Sequence, residues 1–306
     1  PRASPRDLAK GLRMTSAWQN YHSPTPIDDA LALLQDYAGN ARVIGGGTDF
    51  LVETRRGLHR PFEAIVDATR IEGLDQISEE GGFVVIGCGV THSRIIRDPR
   101  IRARAACLAE SCGVIGGPQV RNVGTLAGNV AHALPAGDGT IGLLALGAEA
   151  EVASRDGKRW IPVRDSFVGP GRSAIDRRRE VLTRLRFKPT AVREGSAHHR
   201  VMRPQGLCLP IVTMAVRLRL DDAGNIDAIT IGMGPVGPVP WVAEPAMRLL
   251  TGGPPSAEAC AEAAEAILAE VTLRTSKYRA TRDYRSTMIR TWLPASPQIS
   301  VSRARI

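Results

Sequence analysis

Apolar positions Ile27, Leu31, Leu34 and Ala38 recur at helical spacing and define one face of a helix. Thr25 reads as its N-cap, Pro26 as its first helical residue and Asp28 as the box partner, with Gly39-Asn40 as the stop. A short strand over residues 41–44 then runs straight into Gly45-Gly46-Gly47-Thr48-Asp49, and a second strand covers 64–67. Residues 16–70 thus read as a small β-α-β-like lobe.

A second lobe is expected over 71–189. It holds a strand at 82–87 and a helix opened by Asp98-Pro99, with Ile101, Ala105, Leu108 and Cys112 on its apolar face. After a stretch of glycines and small residues from Ile115 to Asp138, residues 143–153 read as apolar turn and strand. Arg155-Asp156-Gly157-Lys158 reads as a hairpin turn. A third lobe over 190–294 shows strands at 209–220 and 226–233, a helix capped by Ser256, and a last helix after Thr281. Residues 1–15 and 295–306 read as tails, the first basic and without the apolar core of a signal peptide.

Composition changes this picture little. With 306 residues, 43% hydrophobic and 23% charged, the chain is ordinary for a globular protein of two or three lobes. Its 31 Gly and 21 Pro point to many turns and close backbone approaches. No apolar run approaches the length of a membrane span. The net charge of +9 is scattered, without a nucleic-acid-binding pattern, and reads as solvated surface or as a surface for acidic partner subunits. The five cysteines form no C-x-x-C pair, so no metal cluster is expected on this chain. They read as buried thiols in a reducing, cytoplasmic setting. His198-His199 reads as surface, His132 as a loop histidine and Cys88 as packing.

Two segments carry candidate chemistry. In Ile44-Gly45-Gly46-Gly47-Thr48-Asp49, three glycines after a strand leave backbone N–H groups uncovered to converge on an anion, although a plain tight turn has the same composition. It is neither the G-x-G-x-x-G fingerprint nor a P-loop. The second, Val120-Arg121-Asn122-Val123-Gly124-Thr125-Leu126-Ala127-Gly128-Asn129 with Ala133-Leu134-Pro135-Ala136-Gly137-Asp138, suits backbone wrapped closely around a ligand, or an irregular structural loop. Two such turns can grip opposite sides of one pyrophosphate.

Together these segments resemble the FAD-carrying subunits of molybdenum hydroxylases, the xanthine dehydrogenase and carbon monoxide dehydrogenase family. That family shows a glycine turn ending in Thr or Asn and an acidic or hydroxyl residue, then R-N-x-G-T-(I/L)-G-G-N, then a Pro-containing turn ending in Asp. Asp283-Tyr284-Arg285 resembles its terminal signature, and the likeness runs from about Ser16 to Leu293. The resemblance implies an α+β fold: a two-lobed FAD-binding domain of the vanillyl-alcohol-oxidase-like (PCMH) type, plus a C-terminal antiparallel-sheet-and-helix domain. It also implies that Val43, Ile44, Gly45, Gly46, Gly47, Thr48, Asp49 and Phe50, with Asn122, Thr125, Gly128, Asn129 and Val130, hold the pyrophosphate and ribityl. Ile115, Gly116 and Asp138 would line the rest, Leu182 would lie by the flavin ring, and Arg200 would take the place of a family basic residue. Ala127 departs from the usual second glycine, and Cys208 stands where many relatives have an acidic residue, which weakens the match at Arg200.

Carried further, the resemblance implies an electron relay with no catalytic acid or base of its own. FAD would receive electrons from 2Fe-2S clusters of a small iron–sulfur subunit and pass them to NAD, dioxygen, or a quinone or cytochrome. A large subunit with a molybdopterin-cytosine-dinucleotide-type molybdenum cofactor would oxidise the substrate, in a dimer of heterotrimers. The alternatives are a stand-alone FAD-dependent oxidoreductase and a flavin-free binding module.

Overall fold

The computed structural model describes residues 18–59, 61–203, 209–277 and 279–304. The N-terminal tail and Cys208 lie outside the described residues.

The first sheet is parallel, in the order β1 (Asn20–His22), β3 (Ala64–Asp67), β2 (Ala41–Ile44). Helix α1 (Ile27–Asp36) buries Ala30, Leu31 and Leu34. It begins one residue later than its sequence suggests. Pro26 is extended and takes the N-cap place, so Thr25 makes no cap bond. Gly39, at φ +95, turns the chain back toward β2. Helix α2 (Thr48–Arg55) starts directly after the glycine triplet.

The second sheet is antiparallel, in the order β4 (Ile77–Glu80), β5 (Phe83–Gly87), β10 (Val181–Phe187), β6 (Glu149–Ser154), β7 (Gly157–Pro162). A two-strand ribbon, β8 (Phe167–Gly169) with β9 (Arg172–Ser173), lies between β7 and β10 in sequence. Three helices follow β5: α3 (His92–Arg97), α4 (Pro99–Arg104) and α5 (Ala106–Gly113). The apolar run after Asp98 is therefore two helices, broken where Ala105 leaves helical geometry at φ −157 and ψ 50. Asp98 caps α4 through the N–H groups of Arg100 and Ile101.

The glycine-rich stretch, expected as loop, folds into α6 (Pro118–Val123), α7 (Leu126–Ala131) and α8 (Asp138–Ala145). Every residue of α8 is buried. It lies against the third sheet, which runs in the order β11 (Glu194–Met202), β12 (Pro210–Leu220), β13 (Ile226–Gly234), β14 (Trp241–Val242). Glycines allow that approach: a Cβ at Gly234 would lie 2.3 Å from the Pro135 carbonyl oxygen, and one at Gly232 would lie 2.8 Å from that of Ile141. A helix covered on all sides carries no amphipathic stripe, so 143–145 reads as strand from sequence alone.

Helices α9 (Glu244–Leu250), α10 (Ala257–Glu270) and α11 (Arg282–Trp292) complete the third lobe, with Ser256 and Thr281 capping the last two. The apolar core forms two clusters. One fills the first two lobes; the other lies between the third sheet and its helices. Residues 295–304, read above as tail, form helix α12 (Ala295–Ala304), which packs on β11 and β12. Its close approach depends on Gly195, where a Cβ would stand 2.0 Å from the Ser300 carbonyl oxygen. Gly195→Ala is expected to lift α12 and cost roughly 1–3 kcal/mol by overpacking. Urea denaturation, with proteolysis of the C-terminal segment, reads this out.

Candidate functional site

The glycine triplet sits where β2 ends and α2 begins, in the manner of anion sites at a strand–helix junction. Gly47 is left-handed at φ +65 and serves as the N-cap of α2. Among the described residues, no turn or cap hydrogen bond is donated by the backbone N–H groups of 45–50; the first comes from Leu51 to the Gly47 carbonyl. The first-turn N–H groups of a helix have no partner inside it, so this end of α2 can receive an anion.

Gly45 and Gly46 have a second duty. A Cβ on Gly45 would stand 2.5 Å from the Thr125 hydroxyl, and one on Gly46 would stand 2.0 Å from the Val123 carbonyl oxygen. The two glycine-rich segments therefore touch directly. Thr125 is buried and caps α7 by accepting the Gly128 N–H at 3.0 Å. The segment is pinned from the other side. His92 N–H donates to the Gly124 carbonyl at 3.0 Å, and Leu126 N–H donates to that of Val90 at 3.3 Å.

Further along, Arg121 donates to the carbonyls of Ile115 and Gly116, fixing that loop beside α6. Asn122 is exposed and accepts from the Ser93 hydroxyl at 2.6 Å. The Asn129 side-chain oxygen accepts both the Thr140 N–H and its hydroxyl at 3.0 Å, tying α7 to α8, so its NH2 is the part left for a ligand. Asp138 opens α8 and is 4% exposed. One of its oxygens takes Arg200 Nη1 at 2.9 Å. The other has no hydrogen-bond partner among the described residues and lies 3.6 Å from His198 Nε2. Arg200 Nε is likewise buried without a partner.

Other expected residues stand apart from the contact between the turns. Val43 and Ile44 pair with Val66 and Asp67 in the first sheet. Asp49 is exposed, while Phe50 packs in an aromatic cluster with Trp18, His59 and Phe62. Val130 is 0% exposed, so its side chain belongs to the core. Leu182 is buried on β10 beside a bulge, on the strand against which α7 packs. Cys88 donates to the Ala68 carbonyl, and burial pushes its thiol up to about 12, as expected for a packing residue.

Three participants escaped sequence reasoning. His198 is buried, contrary to the surface reading, and its ring pairs with the Thr213 hydroxyl at 2.7 Å. Alternation along β11 was the available signal: one histidine of the pair had to face inward. Glu53 of α2 lies 3.0 Å from His59 and 3.3 Å from His132, so it links the first turn to the end of α7. His92, buried beside Gly124, has an unpartnered Nδ1.

Burial, then the Arg121 charge, pulls His92 down to about 4 from its ordinary 6.5. The unfolded chain takes up this proton as pH falls through 6.5, whereas the folded chain does so only near 4. The stabilisation is therefore complete above 6.5 and lost by about 4, and amounts to about 3 kcal/mol at neutral pH. Denaturation at pH 7.5 and 4.5 should show this loss in the wild type and a smaller one in His92→Gln.

The sequence model described as "FAD binding domain in molybdopterin dehydrogenase" matches residues 14–189, more than half of the chain. The chain belongs to that family. The model described as "CO dehydrogenase flavoprotein C-terminal domain" matches residues 197–294. The carbon monoxide dehydrogenase medium chain of Afipia carboxidovorans is 31% identical over 290 residues, covering 94% of this chain and 98% of the relative. The putative xanthine dehydrogenase FAD-binding subunit of Escherichia coli K12 is 28% identical over 274 residues, covering 89% and 92%. Among solved structures, reconstituted CO dehydrogenase from Oligotropha carboxidovorans matches with a TM-score of 0.88 at 29% identity, over 94% of this chain and 98% of the other. The chain is thus an FAD-binding medium subunit with the PCMH-type fold, and part of an oxidoreductase.

The residues present suit FAD. Open first-turn N–H groups stand ready for a pyrophosphate, and the orphaned Asp138 oxygen and Arg200 Nε supply buried polar atoms for a polar ligand. Among the described residues no helix is long and apolar enough to cross a membrane.

Proposed function

We infer that this flavoprotein chain relays electrons within a molybdenum hydroxylase, taking them from the 2Fe-2S clusters of a small partner subunit and passing them to an external acceptor. The observation that carries the reading is the direct contact of the two glycine-rich turns at Gly46 and Val123, beside the open N-terminus of α2. Residues 43–50, with Asn122, Thr125, Gly128, Asn129 and the backbone of Val130, hold the pyrophosphate and ribityl. Ile115, Gly116 and Asp138 line the remainder, Arg200 neutralises Asp138, and Leu182 borders the ring.

Bound FAD supplies the capacity to take electrons singly and release them as a pair. The protein holds the cofactor, excludes water from Asp138 and sets the charge around it. His198 and Arg200, both from β11, bring the third lobe to this acid, so that lobe helps shape the cofactor's surroundings.

Substrate oxidation belongs to a molybdopterin subunit, in a dimer of heterotrimers located in the cytoplasm. Relatives named for carbon monoxide and for xanthine differ little in their identity to this chain, 31% and 28%, which supports placing substrate choice elsewhere. NAD, dioxygen, or a quinone or cytochrome would take up the electrons.

Stopped-flow reduction of the flavin tests the relay. With the complete complex and its substrate, flavin bleaching should follow bleaching of the iron–sulfur absorbance. The isolated chain mixed with the same substrate should stay oxidised. Direct reduction of the isolated chain by substrate would overturn the relay in favour of a stand-alone oxidoreductase.

A further inference from the structure

A strong concentration of positive charge lies far along the sequence from the glycine-rich turns. The segment joining α10 to α11, with the first turn of α11, carries Arg274, Lys277, Arg279, Arg282 and Arg285 against a single acid, Asp283. The segment is folded back on the helix start. Ser276 N–H donates to the Ala280 carbonyl at 2.9 Å, and Arg282 N–H donates to the Thr275 hydroxyl at 3.1 Å. Thr281 caps the helix by accepting the Tyr284 N–H.

Arg285 is 1% exposed. Its Nη1 donates to the carbonyls of Ile211 and Pro235, but its Nε has no hydrogen-bond partner among the described residues. Arg279 and Arg274 both act repulsively on this buried guanidinium, and Arg274 acts on Arg279. Among the described residues none of Arg274, Arg279 and Arg285 forms an ion pair with a carboxylate. A buried cation is stable when its charge is compensated, and carbonyl oxygens compensate only part of a full charge. Arginine's planar fork is suited to oxyanions, and the start of an eleven-residue helix adds its own positive end.

We propose that Arg274, Arg279 and Arg285, at the start of α11, form a binding site for an oxyanion of the phosphate class. The ligand is free phosphate or the phosphate group of a small monoester. The site lies in the third lobe and does not depend on how the flavin is held.

Calorimetric titration of the FAD-loaded chain at constant ionic strength tests this, with the flavin site filled so that it cannot take the probe. Inorganic phosphate and glycerol 3-phosphate are the probes, and chloride is the reference. One saturable site is expected, at least tenfold weaker in Arg279→Gln and in Arg274→Gln. It should be unchanged in Arg290→Gln: Arg290 is on the same helix as Arg285, but its guanidinium is exposed and paired with Glu265 of α10. Binding of phosphate alone assigns the site to the free ion, and binding of the monoester alone assigns it to metabolites. Absence of saturable binding by both probes overturns the proposal, as does wild-type affinity in both arginine variants. Arg285→Gln is left out of the comparison because the loss of its bonds to Ile211 and Pro235 is expected to unfold the lobe.

Discussion

Gly46→Ala is expected to strip the flavin from the chain. The new methyl would stand 2.0 Å from the Val123 carbonyl oxygen and 2.7 Å from the Gly124 Cα. Both are backbone atoms, so no side-chain rotation relieves the clash. The two turns must separate, and they separate where the pyrophosphate is to be gripped. A shift of this size in a preorganised site should weaken FAD by a hundredfold or more, about 3 kcal/mol. The fold itself should persist, because neither turn belongs to the interior of a sheet. Gly113→Ala supplies the contrast: no atom lies within 4 Å of its added Cβ, and flavin content should not change. The readout is the flavin-to-protein absorbance ratio after purification and dialysis.

The second large effect is expected at Asp138. Its carboxylate and the Arg200 guanidinium are both nearly inaccessible, with 4% and 5% of their side chains exposed, and they meet at 2.9 Å. Asp138→Ala leaves Arg200 buried with, among the described residues, only the Val114 carbonyl as partner. Breaking a buried pair by removing one member costs about 3–5 kcal/mol, since the remaining charge has lost its compensation. Asp138→Asn keeps an acceptor oxygen of the same shape and should lose less. Urea denaturation of the flavin-free proteins measures the stability difference without interference from ligand binding. A smaller loss in Asp138→Ala than in Asp138→Asn would contradict the ion-pair account.

The sequence revealed those parts of the fold that rest on local signals. Strands 41–44 and 64–67 are short apolar runs bounded by glycine or turn residues, and Ser256 and Thr281 are caps with a hydroxyl in place. Helix α8 was hidden because its helical period vanishes when all its faces are covered. Strand β11 was hidden because it carries Glu194, His198, His199 and Arg200, whose partners come from distant segments such as Glu110, Asp138 and Thr213. The spacing of two adjacent histidines does not show that one lies opposite a buried hydroxyl.

The candidate site was visible in outline and incomplete in its causes. Glycines at 45–47 announce a close approach, and the ligand is the natural reason to suspect. Two of the three are also required by the second glycine-rich segment itself. Asp138 was identified through resemblance, whereas its dependence on β11 emerges only from the packing of the third lobe against α8. Glu53, which joins α2 to His132, occupies a helical position like any solvent-facing carboxylate and has no sequence signature.

One titration tests the cofactor site most directly: FAD added to the flavin-free chain, followed by quenching of flavin fluorescence. One FAD per chain is expected, with binding at least a hundredfold weaker in Gly46→Ala. Failure to bind FAD, or equal affinity in the wild type and Gly46→Ala, would contradict a cofactor held where the two glycine turns meet.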